Sequence, residues 1–337
     1  MDNLTHSLTG LAVARTGFDR WCPRAVALAI VSANIPDIDI VALANGPLAY
    51  LEAHRGYSHS LLFLPVMAML SVLIVAALYR ERLQWTRAFG LCCIGVASHL
   101  LLDLTNSYGV RLMLPFSSEW SHLDLNGLYD AAILTVLIVA AVWPWFNRLV
   151  SGEIGQRASG GRGIAFAALT FFALYDGARA MLHTQAQAQL QARLYDDAAP
   201  MRTVALPDSY SPFRWTGIVE TVRSYQVLDV NALGQLDVSS ARVYYKPALT
   251  SGLQAAKVTE PFRFFQYFAR FPAWSSDPVQ NGDRRGTRIE LSDLRFGDPG
   301  HGSFHAIAFE NERGQVMGSW FTFKSGAELG WGDSTSR

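Results

Sequence analysis

Long apolar runs alternate with short polar loops in the first half of the chain. Four of these runs approach the roughly 20 apolar residues that a membrane-spanning helix needs. They cover residues 61–79, 86–104, 128–146 and 163–182. A fifth run, residues 23–44, is apolar but contains acidic residues near its end, and residues 4–18 form a shorter apolar stretch with helical spacing. We therefore predict about five spanning helices and a short N-terminal helix that crosses half of the bilayer or lies at its surface.

The pattern changes near residue 183. A stretch rich in Gln and Ala, residues 184–193, predicts a helix that leaves the membrane as a stalk. Beyond it, short β-type runs are separated by Gly, Pro, Asn and Asp. Residues 304–309 and 316–323 flank N-E-R-G and predict a hairpin, while the aromatic segment 261–271 predicts a short helix. That segment either packs in a core or touches lipid headgroups.

These patterns divide the chain into three parts. We predict a polytopic helical membrane domain over residues 1–183 and a helical stalk or linker over 184–199. A small α+β domain outside the membrane follows over 200–337.

The composition favours a membrane domain over a soluble helical bundle with a very apolar core. Half of the chain is apolar and only 17% is charged, against roughly 25% in ordinary soluble domains. Basic and acidic residues number 28 each, so no basic surface for nucleic acid is expected. The three cysteines form no C-x-x-C pair, which gives no support for a disulfide scaffold or a cysteine-type zinc site.

Basic residues cluster in alternate loops and predict the orientation of the chain. Because short basic loops stay in the cytoplasm, we expect these clusters on the cytoplasmic side and the C-terminal domain on the outer side, the periplasm of a Gram-negative cell. A basic region before the first apolar segment is missing, so we expect no conventional signal peptide. The three clusters are Arg15, Arg20 and Arg24; Arg80, Arg82 and Arg87; and Arg148, Arg157 and Arg162.

Ionisable residues within membrane segments are costly and often functional. At about 1.5 Å per helical residue, His99 and Asp103 lie roughly 18 and 24 Å from Arg87, and similar estimates place Asp37, His6 and His59 at the same depth. The sequence thus predicts that several segments bring such side chains into one layer near the outer face. The residues of this kind are His6, Asp37, Asp39, His99, Asp103 and Asp176, with His54 and His59 in the adjoining loop.

Spacing within the segments suggests metal ligation. His99 and Asp103 in S-H-L-L-L-D are four residues apart, so both project from one helical face. His54 and His59 flank Gly56, which permits a tight turn that directs both rings inward. Imidazole and carboxylate without thiolate are typical of a catalytic zinc, manganese or iron site.

Two further carboxylates follow Pro36 in N-I-P-D-I-D. Proline breaks a helix, so Asp37 and Asp39 are expected on a non-helical stretch that lines a cavity. Asp176 has Arg179 three residues further on, the spacing of an intrahelical ion pair, and we assign both a structural role.

Each of these residues also has a simpler interpretation. A single histidine in an apolar helix is often a hydrogen-bonded core residue, and His99 with Asp103 would also suit a hydrogen bond between helices. Asp39 either caps a helix or orients a neighbouring residue, or it binds metal. His122 and Asp124 in the outer loop either complete the site or lie in solvent.

The combination of motifs resembles the YdjM-like family of inner-membrane proteins, described as metal-dependent hydrolases. The resemblance rests on D-N-L-T-H-S-L-T-G, N-I-P-D-I-D, H-R-G-Y-S-H-S and S-H-L-L-L-D, in that order within residues 1–182. It implies a bacterial inner-membrane location and hydrolysis as the reaction class. A weaker similarity, through the H-x-x-x-D pair, is to zinc-dependent phospholipase C and points to phosphoester chemistry.

We therefore expect a membrane-bound hydrolase that uses a divalent metal, zinc before manganese or iron, on a lipid or lipid-linked phosphoester. Asp39 is the expected general base or orienting residue, and Arg55 the expected contact for an anionic oxygen. There are two rival functions: an ion-binding transporter or proton relay, and a non-catalytic scaffold. For the hydrolase and for both rivals, the lipid bilayer is the expected partner. The expected metal ligands are His6, Asp37, His54, His59, His99 and Asp103.

Overall fold

A helical half precedes a C-terminal half that contains two antiparallel sheets. The computed structural model describes residues 1–153, 161–281 and 284–323, so Arg157 of the predicted cytoplasmic clusters lies outside the described residues. The helices of the first half are α1 Asn3–Val13, α2 Asp19–Trp21, α3 Ala25–Ser32, α4 Pro47–Ala53, α5 Leu64–Tyr79, α6 Trp85–Leu104, α7 Ala131–Glu153 and α8 Arg162–Gln191.

Three helical segments in the described residues are long and apolar enough to cross a membrane: α6, residues Ala131–Val150 of α7, and α8. Two bent pairs pass the same criteria when each pair is taken together. One joins α3 to a 3-10 segment, Ile35–Asn45, at 45°, and the other joins Pro47–His59 to α5 at 92°. The predicted count of five spanning helices is reached only if each bent pair counts as one span.

The bend after α3 has a local cause. Proline lacks a backbone N–H and disfavours helical continuation from the preceding turn. Pro36 stands at the start of the 3-10 segment, directly before Asp37. The predicted break in the apolar run 23–44 is therefore confirmed, but the prediction of a non-helical stretch is wrong, because Asp37 and Asp39 lie on a 3-10 helix.

The N-terminal helix lies inside the helical half and packs against α3, α6, α7 and α8. It begins with Asp2 as N-cap, whose carboxylate accepts from the backbone N–H of Thr5. Gly10 permits the close contact with α3, because a Cβ there would lie 2.6 Å from the carbonyl oxygen of Ala29. Small residues at such crossings let helix backbones approach in membranes.

The last membrane helix runs without a break into the predicted stalk. Its final turns bury Ala186 and Leu190 against the first sheet. The predicted ion pair within this helix is wrong: the carboxylate of Asp176 accepts from Asn126 at 2.8 Å, and the guanidinium of Arg179 donates to the carbonyl oxygens of Leu125, Asp208 and Ser211. Backbone carbonyls of neighbouring loops thus compete successfully for Arg179.

The C-terminal half contains two four-stranded antiparallel meanders. Their strands are β1 Arg202–Pro207, β2 Arg214–Glu220, β3 Ser224–Asn231 and β4 Arg242–Tyr245, then β5 Pro272–Asn281, β6 Arg284–Asp293, β7 His305–Asn311 and β8 Val316–Thr322. Helices α9 Ser251–Lys257 and α10 Glu260–Phe268 lie between the sheets in sequence and pack on the second one.

Both local predictions for this half are confirmed. Strands β7 and β8 form the predicted hairpin, and the aromatic segment forms α10. Phe262, Phe265 and Phe268 of α10 are buried in a core with Phe321, so this face packs in the domain and not against lipid.

Candidate metal site

The polar residues of the first half converge where the helices are bent or end. Asp37 and Asp39 lie on the 3-10 segment after α3, and His59 ends a short 3-10 turn, Tyr57–His59. His99 and Asp103 lie one turn apart near the C-terminal end of α6. The predicted convergence of separate segments on one place is therefore seen in the structure.

Four of these residues can hold one metal ion. One nitrogen or oxygen from each of Asp37, His59, His99 and Asp103 lies within 4.8 Å of the others. The Oδ2 atom of Asp103 is 3.5 Å from the Nε2 atoms of both His59 and His99. Oδ1 of Asp37 lies 3.4 Å from His59 Nε2 and 3.7 Å from His99 Nε2. His59, His99 and Asp103 are buried, whereas Asp37 is partly exposed.

The hydrogen bonds of the two imidazoles indicate which ring nitrogen carries the proton. Nδ1 of His99 lies 2.7 Å from the carbonyl oxygen of Ala33, which can only accept, so this nitrogen donates. The hydroxyl of Ser58 donates to Asp39, so its oxygen accepts from Nδ1 of His59 at 2.9 Å. When both rings are neutral, both Nε2 atoms therefore carry lone pairs, and they face one another at 3.1 Å. Two facing lone pairs repel each other, and a cation bound between them would accept both lone pairs and remove this repulsion.

Asp39 orients two of the histidines. Its carboxylate lies 3.0 Å from Nδ1 of His54 and 3.3 Å from Nδ1 of His59. It also accepts from the backbone N–H of Arg55 at 3.0 Å and from Ser58. Carboxylates placed in this way behind metal-binding imidazoles fix their tautomer and direction. With its oxygens engaged, Asp39 suits the orienting role better than that of a general base.

His54 and His6 lie beside the four-residue group but outside it. His54 belongs to a second, overlapping group with Asp37 and Asp39. The ring of His6 stacks on that of His99 at 3.9 Å, with its Nε2 3.4 Å from Asp103 Oδ1. Neither nitrogen of His6 has a hydrogen bond among the described residues. The structure thus brings all six predicted ligands close together, and four of them, Asp37, His59, His99 and Asp103, have ligand atoms close enough to share one ion.

Arg55 is buried between Asp103 and the adjoining loop. Its guanidinium lies 3.0 Å from Asp103 Oδ1, donates to the carbonyl oxygen of Gly109 at 3.2 Å and stacks over the ring of Tyr108 at 4.7 Å. The amino group of Met1 also contacts Asp103. The Nε atom of Arg55 has no hydrogen-bond partner in the described part of the chain, which leaves one donor for a ligand.

A cavity of about 290 Å³ opens beside this cluster and is lined by both halves of the chain. Asp37, His54 and Arg55 line it from the helical half, and Phe304 from the C-terminal half. Tyr108 lies between them, since its ring contacts Arg55 on one side and Phe268 at 4.9 Å on the other.

The sequence analysis missed Tyr108. Its hydroxyl is buried and has no hydrogen-bond partner among the described residues, although the residue lines the cavity. A tyrosine in the loop N-S-Y-G carries no sequence signal that distinguishes it from the other tyrosines, and only the folding of the C-terminal half onto this loop buries it.

The outer-loop pair His122 and Asp124 anchors the C-terminal half. Nδ1 of His122 lies 3.2 Å from Asp124. The same carboxylate receives two hydrogen bonds, of 2.8 and 3.0 Å, from the guanidinium of Arg270. Neither residue belongs to the two candidate metal groups. This geometry therefore does not support the expectation that His122 and Asp124 complete the metal site. It also does not support a solvated loop, because Asp124 is buried.

The donor set fits a divalent transition metal. Two neutral imidazoles, two carboxylates and no thiolate are the ligands of catalytic zinc, manganese and iron sites. Asp103 Oδ2 is buried without a hydrogen bond among the described residues, as expected for an oxygen reserved for a cation.

The fold and the cluster define a membrane protein whose helical half contains a buried His and Asp group able to hold a metal ion. The YdjM inner membrane protein family matches residues 1–186, more than half of the chain, and the chain belongs to this family.

Two relatives show how the similarity is distributed. The uncharacterized protein YfhP of Bacillus subtilis is 24% identical over 318 residues, covering 91% of this chain and 90% of that protein. The inner membrane protein YbcI of Escherichia coli is 35% identical over 150 residues, covering 40% of this chain and 85% of that protein. No solved structure matches the chain. The similarity to YfhP thus extends into the C-terminal half.

Proposed function

We propose that this chain is a multi-pass metal-dependent hydrolase of the bacterial inner membrane, with its C-terminal domain in the periplasm. The observation that carries the proposal is the pair of Nε2 atoms of His59 and His99, which face one another at 3.1 Å with two carboxylates beside them. A divalent metal, zinc first, supplies Lewis-acid polarisation of a substrate oxygen when bound there.

The chain's own residues supply binding and orientation. Asp39 holds the rings of His54 and His59 in position. Arg55 compensates the charge of Asp103 and lines the cavity, where its guanidinium supplies a donor for an anionic oxygen. Tyr108 lines the same cavity, and its hydroxyl has no hydrogen-bond partner among the described residues. Together these groups suit a substrate with a phosphoryl oxygen.

The surroundings of the cavity support a lipid or lipid-linked phosphoester as the substrate class. Ile40 and Leu128 line the cavity and are 59% and 50% exposed, and the adjacent Val41 is 68% exposed. Exposed apolar side chains at the mouth of a polar site suit a substrate with a hydrocarbon part that enters from the bilayer.

The packing beneath the cluster favours an enzyme over a transporter or proton relay. Between the cluster and the arginine-bearing ends, α3, α5 and α6 meet through buried apolar side chains such as Leu28, Val72 and Cys92. Transport would require a polar path through this interior, and a hydrolase requires access from one side only.

Metal analysis of purified protein tests the proposal. We expect a bound divalent metal that is largely lost in His99→Ala and Asp103→Ala and retained in His301→Ala, a control at an exposed histidine. Asp39→Asn should bind metal about 10–100-fold more weakly, because it removes an orienting partner and no ligand. Undiminished metal in the His99 and Asp103 variants would contradict the site.

Hydrolysis distinguishes the enzyme from a binding protein. The metal-loaded protein should cleave a phospholipid or isoprenoid phosphate in detergent, and a chelator should abolish the activity. Arg55→Ala should mainly raise KM if Arg55 contributes uniform binding. Cleavage of soluble esters alone would contradict the lipid substrate, and metal binding without hydrolysis of any tested phosphoester would contradict the enzyme.

A further inference from the structure

A second concave site lies at the opposite end of the helical half and is lined by four arginines. Its cavity measures about 190 Å³. The arginines come from three separate parts of the chain: the π-helical turn Ala14–Phe18 with α2, the C-terminal part of α7, and the first turn of α8. They are Arg15, Arg20, Arg148 and Arg162.

The positive charge of this cavity exceeds the negative charge of its lining, because four arginines face one carboxylate among the lining residues. Asp19 is the acidic residue among the lining residues, and within the described ranges none of the four arginines forms an ion pair. Arg15 is fixed by hydrogen bonds of 3.2 and 2.9 Å from its Nη1 to the carbonyl oxygens of Ala140 and Ala141. Four like charges around one small cavity repel each other, and a bound anion would offset this repulsion.

The neighbouring basic residues behave differently. Arg24 forms an ion pair with Glu81 at 2.5 Å, and Arg87 donates to the carbonyl oxygen of Trp21 at 3.1 Å. Neither lines the arginine cavity. A general excess of positive charge in cytoplasmic loops therefore does not account for the convergence of the other four.

The aromatic residues around the cavity indicate that it lies at the depth of the lipid headgroups. Trp145 lines it, and Trp143 and Phe146 on the same helix are about half exposed. Such aromatic side chains concentrate at the boundary between hydrocarbon and headgroups. An anion bound here would thus lie at headgroup depth with its apolar part beside exposed aromatic rings.

The geometry points to a binding site for the phosphate headgroup of an anionic phospholipid at the arginine-bearing end of the helices. Guanidinium groups match phosphate oxygens in pairs of parallel hydrogen bonds, and basic cavities between membrane helices on the cytoplasmic side bind such headgroups. The site is separate from the metal cluster, and this inference does not depend on the proposed hydrolase activity.

Lipid retention by the full-length protein tests the inference. Purified protein in neutral detergent is mixed with phosphatidylglycerol or cardiolipin, and bound lipid is counted by native mass spectrometry. We expect the double variant Arg148→Gln with Arg162→Gln to bind at least about tenfold more weakly, because it removes two charge-assisted contacts to the phosphate. The matched double variant Arg80→Gln with Arg82→Gln removes the same charge outside the cavity and should bind as the unchanged protein does.

Three comparisons decide between lipid, free phosphate and nonspecific attraction. Phosphatidylcholine should not be retained, and inorganic phosphate at millimolar concentration should not displace the anionic lipid. Equal loss of binding in both double variants would overturn the inference in favour of general charge attraction. Displacement by inorganic phosphate would overturn the lipid assignment in favour of a soluble anion. Thermal unfolding without added lipid serves to show that both double variants remain folded.

Discussion

At the scale of single residues, Asp124 shows how a buried carboxylate joins the two halves of the chain. Burial by itself would raise its pKa, but hydrogen bonds from His122 and Arg270, together with the charge of Arg270, lower the pKa below the ordinary value of 3.8. The folded protein therefore favours the ionised form more than the unfolded chain does. Stability from this interaction is fully present above pH 3.8 and is lost as the pH falls through the lower folded pKa.

We expect Asp124→Asn to lower the free energy of unfolding near pH 7 by on the order of 3 kcal/mol, the usual cost of breaking a buried ion pair. The difference from the unchanged protein should stay constant from neutral pH to about pH 5 and shrink below 3.8. Thermal unfolding in detergent across this range measures it, with the exposed Asp277→Asn as the control. A difference that persists undiminished to pH 3 would show that the charge of Asp124 is not its cause.

At the scale of elements, close helix packing and a helix break place different residues of the site. Gly10 brings α1 against α3, and this contact helps to place His6 beside His99. The break near Pro36 then ends the regular helix at Ser32, and on the 3-10 segment that follows Asp37 approaches His99 of α6.

The packing at Gly10 leads to a stability prediction. Gly10→Ala places a methyl group 2.6 Å from a backbone oxygen of Ala29, which cannot move away as a side chain could. We expect a loss of about 1–3 kcal/mol, typical of overpacking, seen as a lower melting temperature. Gly177→Ala in α8 is the matched control, because a Cβ there meets nothing within 4 Å. If both variants melt at the same temperature as the unchanged protein, the α1 and α3 contact is looser than described.

At the scale of the whole molecule, the cluster and the C-terminal domain lie at one end of the helices and the arginines at the other. Phe304 of the C-terminal half lines the cavity beside Arg55, whereas Arg15, Arg148 and Arg162 share the distant cavity. Because basic ends remain in the cytoplasm, we predict that the cluster and the C-terminal domain are periplasmic.

A reporter enzyme that is active only outside the cytoplasm tests this orientation. Fused to the carboxyl terminus, it should be active, and fused directly after Arg82 it should be inactive, because that position lies at the arginine-bearing end. Activity of the second fusion, or inactivity of the first with normal protein levels, would reverse the orientation. The metal prediction would then stand, but the substrate would have to approach from the cytoplasm.

The sequence by itself determined the features that depend on neighbouring residues. The apolar runs gave the positions of the membrane helices, Pro36 gave the break, and the spacing of His99 and Asp103 placed both on one face of α6. The hairpin of β7 and β8 followed from two β-type runs around a turn. Each of these is fixed by local backbone preference or by the period of a helix or strand.

Only the tertiary structure decided how these residues divide their roles. Asp37 and Asp39 stand two residues apart, yet Asp37 faces the ring of His59 at Nε2 and Asp39 faces it at Nδ1. This difference distinguishes a candidate ligand from a candidate orienting residue. Arg179 donates to three backbone carbonyl oxygens and does not form the predicted ion pair with Asp176. Tyr108 becomes part of the cavity only because the C-terminal half packs on its loop. Such choices depend on contacts between residues that are distant in the chain, where local periodicity carries no information and the best available partner is set by packing.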